Sequence, residues 1–237
     1  MNLGYIGTGV MGNPMAKALI EAGHSVTVHD INRESATNLC EMGANWADDP
    51  RQLSESSEVV FTSLPGPVQA ENVLTNPDTG ILSGLRVGGT WVDTTTNSPT
   101  MIHKLASLCK QRGIEMLDCP VSGRIPNMTM MVGGDQAVFN KQRPVLETMG
   151  KEVIYVGGTA KVALRSGTSL YDNTASDPTT SVQRTRLESI HIASEEERAV
   201  VYQLPAPLGH YIDSFGQPEL ALKSHTEGGW YHDFPTK

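Results

Sequence analysis

One hexapeptide constrains this chain more than anything else in it: Gly7-Thr8-Gly9-Val10-Met11-Gly12, which follows the apolar run Leu3-Gly4-Tyr5-Ile6 directly and opens a helix-length amphipathic segment. Residues 3–6 read as a strand and residues 11–21 as a helix. Pro14 is tolerated there because the first helical turn has no acceptor for the N–H that proline lacks. GxGxxG between a strand and a helix has a mechanical logic. The first glycine permits a tight turn, the second lets backbone approach a pyrophosphate, and the third lets helix pack on strand. The helix N-terminus adds N–H donors and a positive dipole for the phosphates. A second strand pattern, 25–29, leads into Asp30, eighteen residues past Gly12, where a carboxylate can take both hydroxyls of an adenine ribose. The pattern predicts a Rossmann-type βαβ unit that binds a nicotinamide dinucleotide through Gly7, Gly9, Val10, Met11, Gly12 and Asp30. Asp30 favours NAD, because a carboxylate repels a 2′-phosphate. Arg33 stands where it either faces that phosphate or is simply solvated at a helix start, so the cofactor is read as NAD or NADP with NAD slightly favoured.

Beyond this unit the alternation of β-rich runs and amphipathic segments continues, with further strands at 59–64, 90–93, 115–117, 129–132 and 153–156. A helix opens at Pro99 behind Ser98, a suitable N-cap, and carries Ile102, Leu105, Ala106 and Cys109 on one face. Such alternation specifies an α/β fold, a Rossmann-type doubly wound, mostly parallel sheet over residues 1–157. From 158 to 237 a short atypical C-terminal region is expected. Residues 165–181 are rich in Ser, Thr, Asp and Asn and read as a linker. Leu187, Ile190, Val201 and Leu204 fit one helix over 184–204, or two if Ser194-Glu195-Glu196-Glu197 acts as an internal capping box. The last thirty residues hold too many glycines and prolines for long elements.

Charge and composition exclude several classes of function. With 18 Lys+Arg against 26 Asp+Glu the net charge is −8, and the basic residues are scattered singly, so neither nucleic acid nor an anionic membrane surface is an expected partner. No apolar run is long enough to span a bilayer, and the first residues show no basic segment followed by an apolar one; a cytoplasmic protein is expected. Cys40, Cys109 and Cys119 form no CxxC pair and are read as reduced, mostly buried thiols. His210, His225 and His232 with Asp213, Glu227 and Asp233 lack the tight spacing of a metal site, and no metal is expected.

Five stretches occur together: Gly4-Tyr5-Ile6-Gly7-Thr8-Gly9-Val10-Met11-Gly12, Thr62-Ser63-Leu64-Pro65, Asp93-Thr94-Thr95-Thr96-Asn97-Ser98-Pro99, Asp118-Cys119-Pro120-Val121-Ser122-Gly123 and Met131-Val132-Gly133-Gly134. In this order they make residues 3–156 resemble the β-hydroxyacid dehydrogenases, the group containing 3-hydroxyisobutyrate dehydrogenase and tartronate semialdehyde reductase. The resemblance implies that Leu64 and Pro65 lie along the cofactor, that Thr96 contacts its nicotinamide side, and that Ser122 and Gly123 hold a substrate carboxylate. A carboxylate desolvated beside a nicotinamide needs several such donors.

Two departures from the family pattern stand beside these matches. Arg124-Ile125-Pro126-Asn127-Met128 replaces a glycine-rich loop and is about five residues shorter, which alters the substrate wall. The family's proton-transfer lysine, in a pattern resembling G-x-G-x-x-x-K-x-x-N-N, falls on Ser166 by gapless counting, and no lysine occurs between Lys161 and Lys223. Lys161 comes early; taking Gly167 as the second glycine sets Tyr171 at the lysine position, as in the imine reductases, a sister group. The family's helical second domain, which forms its dimer interface, is mostly missing from 158–237; Gln203-Leu204-Pro205 resembles the family's C-terminal region and suggests an internal loss. Two functions therefore remain open: an NAD(P)-dependent oxidoreductase acting on a small 3-hydroxy acid or its semialdehyde, or a dinucleotide-binding relative with weak or no turnover. A homo-oligomer also stays open.

Overall fold

The computed structural model describes residues 1–160. β1 (Asn2–Ile6) passes through the glycine loop into α1 (Gly12–Glu21), followed by β2 (Ser25–His29), a 3-10 turn at Arg33–Ala36, α2 (Thr37–Glu41) and β3 (Asn45–Trp46). Next come α3 (Pro50–Glu55), β4 (Val59–Thr62), α4 (Pro67–Thr75), α5 (Ile81–Gly84), β5 (Thr90–Asp93), α6 (Pro99–Gln111) and β6 (Glu115–Asp118). β7 (Val121–Ser122), β8 (Thr129–Gly134), α7 (Gln136–Met149) and β9 (Glu152–Gly157) complete the described part.

The strands form one sheet in the order β3-β2-β1-β4-β5-β6-β8-β7, with β9 also on β8. β1 to β6 pair in parallel, whereas β8 runs antiparallel to β6 and β7 and parallel to β9. This is the expected Rossmann-type, mostly parallel sheet. Its order reverses between β1 and β4, and the crevice that such a reversal opens lies at the carboxyl ends of the strands.

Both faces of the sheet are covered, so its central strands read as unbroken apolar runs rather than alternating ones. On one face Tyr5 stacks on Phe61 with ring centroids 5.9 Å apart, packed with Met15 and Leu19 of α1, Leu39 of α2 and Leu146 of α7. On the other, Ile6, Val60 and Trp91 meet Leu53 of α3, Leu74 of α4 and Ile102 and Leu105 of α6. The Ser98 hydroxyl caps α6 by accepting the Met101 N–H at 3.3 Å, and Ile102, Leu105 and Cys109 are buried as their spacing predicts.

Where the structure departs from the sequence pattern, the reasons are local. The strand expected over 59–64 ends at Thr62, because the Leu64 N–H turns away to the Thr95 hydroxyl at 3.1 Å. β3 and β7 are two residues each, too short to show a period. All three cysteines are free; burial pushes the Cys109 thiol up to about 12 and that of Cys119 well above the usual range. No helix among the described residues is long and apolar enough to cross a membrane. The linker at 165–181, the helix at 184–204 and the His210, His225 and His232 group lie outside the described residues.

Candidate functional site

The glycine loop is shaped by backbone on both sides. Gly7 sits at φ +88°, its N–H donates to the His29 carbonyl at 2.9 Å, and a side chain on it would run into the Ser63 carbonyl. A side chain at Gly12 would run into the Gly7 carbonyl, so this position sets how closely α1 approaches the turn. Gly9 is different: a β-carbon there meets nothing within 4 Å. The space it faces is open, at the head of a helix whose first N–H groups have no intrahelical acceptors. Val10, 78% exposed, and the half-buried Met11 complete the loop. A cradle closed at two glycines and open at the third fits a pyrophosphate.

Asp30 follows β2 at the rim of the same crevice. Its Oδ2 accepts the Thr8 N–H at 2.7 Å and the Thr8 hydroxyl at 3.3 Å, and its Oδ1 accepts the Asn32 N–H at 2.9 Å. The carboxylate thus fastens the glycine loop to the end of β2. Arg33 turns elsewhere, with its guanidinium over the Trp46 ring at 5.1 Å from the centroid.

The ends of β4 and β5 carry a buried polar cluster. Asp93 Oδ1 accepts the Thr62 hydroxyl at 2.8 Å and the Thr95 N–H at 3.0 Å, and Oδ2 accepts the Asn97 amide at 2.7 Å. The Trp91 indole donates to the Thr62 hydroxyl at 2.9 Å, and the Thr94 hydroxyl donates to the Thr62 carbonyl at 2.8 Å. Complete burial outweighs these donors and pushes the Asp93 carboxyl up to about 6. Through Thr95 the cluster also holds the Leu64 N–H, so the half-buried Leu64 and Thr96 and the exposed Pro65 stand on two loops tied to one carboxyl group. Sequence reasoning gave roles to Thr96, Leu64 and Pro65 and quoted Thr62, Asp93 and Asn97 within the same stretches, but assigned them no part in holding these loops. An acidic residue closing the β-rich run Thr90-Trp91-Val92 was a signal for Asp93 alone and not for its partners.

Ser122 and Gly123 continue from the carboxyl end of β6. Ser122 pairs with Thr129 across β7 and β8, and 124–128 turns tightly between them, the Asn127 N–H donating to the Arg124 carbonyl at 2.7 Å. The shortened loop is therefore a compact hairpin. Lys161 and Tyr171 lie outside the described residues.

A strand–glycine loop–helix unit at the reversal point of such a sheet defines a dinucleotide-binding protein. Residues 2–157 match the family model described as the NAD binding domain of 6-phosphogluconate dehydrogenase. The chain is 38% identical over 173 residues to 2-hydroxy-3-oxopropionate reductase of Escherichia coli, covering 69% of this chain and 59% of that one. It is 35% identical over 169 residues to 3-hydroxyisobutyrate dehydrogenase of Pseudomonas aeruginosa, covering 68% and 56%. Among solved structures, Psf3 in complex with NADP+ and 2-OPP superposes with a TM-score of 0.65 at 25% identity, over 96% of this chain and 79% of that one. 3-Hydroxyisobutyrate dehydrogenase from Salmonella typhimurium shares the fold with a TM-score of 0.66 at 23% identity, over 75% and 66%. The chain belongs to the β-hydroxyacid dehydrogenase family, through an N-terminal domain that takes a nicotinamide dinucleotide. It spans about half the length of the relatives it matches.

Proposed function

We propose that this chain is an NAD(P)-dependent oxidoreductase of small 3-hydroxy acids or their semialdehydes, with NAD the preferred cofactor. Residues 1–157 are the dinucleotide-binding domain and 158–237 a remodelled C-terminal region. The open space at Gly9, between two glycines that admit no side chain, carries the dinucleotide part of this reading, and the likeness to hydroxyacid dehydrogenases supports the substrate class. Gly7, Gly9, Val10, Met11 and Gly12 hold the pyrophosphate at the head of α1, and Asp30 receives the adenine ribose, while Arg33 stays on the Trp46 ring. Leu64 and Pro65 line the cofactor, Thr96 meets its nicotinamide side, and Ser122 and Gly123 offer a hydroxyl and an N–H to the substrate carboxylate. When bound, the nicotinamide supplies the hydride acceptor or donor. Lys161 and Tyr171 are the groups proposed to move the proton.

A second reading, a dinucleotide-binding relative with little turnover, is favoured by one observation: no lysine falls where the family pattern requires it. The two readings differ in rate and not in binding. Loss of a general acid costs about 10²–10⁴ in rate against an ordinary value of ~10 per second. Calorimetric titration with NADH and NADPH, followed by turnover assays across a panel of small 3-hydroxy acids, separates them. Gly9→Val is expected to keep the fold and abolish binding, since the added side chain fills space that is empty in the protein. Tight binding by that variant would refute the site. Turnover at ordinary rates that is insensitive to Lys161→Ala and Tyr171→Phe would exclude both proton-transfer candidates.

A further inference from the structure

Arg33 is three residues from Asp30 and adjacent to Glu34, yet among the described residues it forms no ion pair with either. Its guanidinium lies over the Trp46 indole. That indole is itself held in place. β3 sets Trp46 opposite Val28, the indole N–H donates to Asp48 Oδ1 at 2.9 Å, and the ring lies against the His29 imidazole at 5.7 Å. His29 is fixed in turn through Nδ1, 3.0 Å from the Ala47 carbonyl oxygen. The Asp30 carboxylate meanwhile faces Thr8 and Asn32. The end of β2 therefore presents a carboxylate toward the glycine loop and a cation on the side of β3.

We propose that Trp46 sets the choice between NAD and NADP by holding Arg33 on its indole, away from Asp30 and the ribose position beside it. This rests on Gly7–Gly12 and Asp30 being the dinucleotide site. A 2′-phosphate entering there meets a carboxylate with its nearest cation withheld, which disfavours NADP; a released Arg33 reaches the phosphate and offsets the repulsion. The Arg33 cation is exposed over a half-buried ring, and such a contact is held only weakly, so the effect on binding is about two- to fivefold.

Isothermal titration of NAD+ and NADP+ into the full chain tests this. Trp46→Leu is expected to tighten NADP+ about two- to fivefold with NAD+ unchanged, Trp46→Phe to stay near the parent, and Arg33→Ala in the Trp46→Leu background to cancel the gain. Unchanged or weaker NADP+ binding by a Trp46→Leu variant that binds NAD+ normally overturns the proposal, as does a gain that persists without Arg33. Arg33→Ala alone provides an arm that does not disturb β3: it is expected to leave NADP+ binding as it was. A selective loss of NADP+ there would mean that Arg33 already faces the phosphate, and would overturn the proposal equally. Failure of the parent chain to bind either dinucleotide removes the site itself, whereas normal NAD+ binding with an unmoved ratio removes only the role of Trp46.

Discussion

Asp30 and Asp93 both stand at the carboxyl ends of parallel strands and accept hydrogen bonds from neighbouring loops, but one is at the rim and the other is sealed. Asp30 is half-buried and ties the glycine loop to the end of β2 with two backbone N–H groups. Asp93 is wholly buried and gathers Thr62, Thr95 and Asn97. Access to solvent separates their roles. A rim carboxylate keeps lone pairs for an incoming ligand, while a sealed one serves only the loops around it and is costly to ionise.

The largest test of this contrast is Asp93→Ala. It leaves a hydroxyl, an N–H and an amide without their acceptor in a dry environment, and is expected to cost about 3–5 kcal/mol in urea unfolding. A loss under ~1 kcal/mol would mean that the cluster reforms around water and that Asp93 is no more structural than Asp30.

A pH series sharpens the comparison. The native carboxyl of Asp93 stands at about 6 against an ordinary 3.8, so the folded protein binds this proton more tightly than the unfolded chain. Its contribution to stability is greatest below pH ~4, falls as pH rises to about 6 and is level above that, by about 3 kcal/mol in all. The difference between parent and Asp93→Asn unfolding free energies across pH 4–7 isolates this slope from those of the other acidic groups. A flat difference would show that the three donors hold Asp93 ionised throughout.

The smallest effect belongs to the rim. Asp30→Ala is expected to weaken NAD+ binding by about 1.5–3 kcal/mol through the loss of a charged acceptor, while NADP+ binding improves as the repulsion is removed. An unchanged preference in titration would place Asp30 with Asp93, as a purely structural carboxylate.

Much of this was legible in the residues themselves. The run Leu3–Ile6, the three glycines and Asp30 lie close together in sequence, and each carries a local constraint, so strand, loop, helix and rim carboxylate follow from short-range pattern. Ser98 and the spacing of Ile102, Leu105 and Cys109 predicted α6 for the same reason. The Asp93 cluster was not legible, because Thr62 and Asp93 are 31 residues apart and meet only once β4 and β5 pair in register. Trp46 was equally hidden: β3 is too short to announce itself, and nothing in the order of residues shows that Arg33 prefers an indole to two nearby carboxylates.

The turn at Gly7 also fixes an order of events in time. Its N–H is received by the carbonyl of His29 and a side chain on it would run into the carbonyl of Ser63, while Leu3 pairs with Val26 on one side and Val59 on the other. During synthesis β1 is thus hydrogen-bonded on both edges only after some sixty more residues have emerged. Pairing across such separations is slow beside helix formation. The glycine loop that follows β1 takes its final form late, and a dinucleotide added to refolding chains is expected to raise the final yield of native protein by mass action without hastening the early steps.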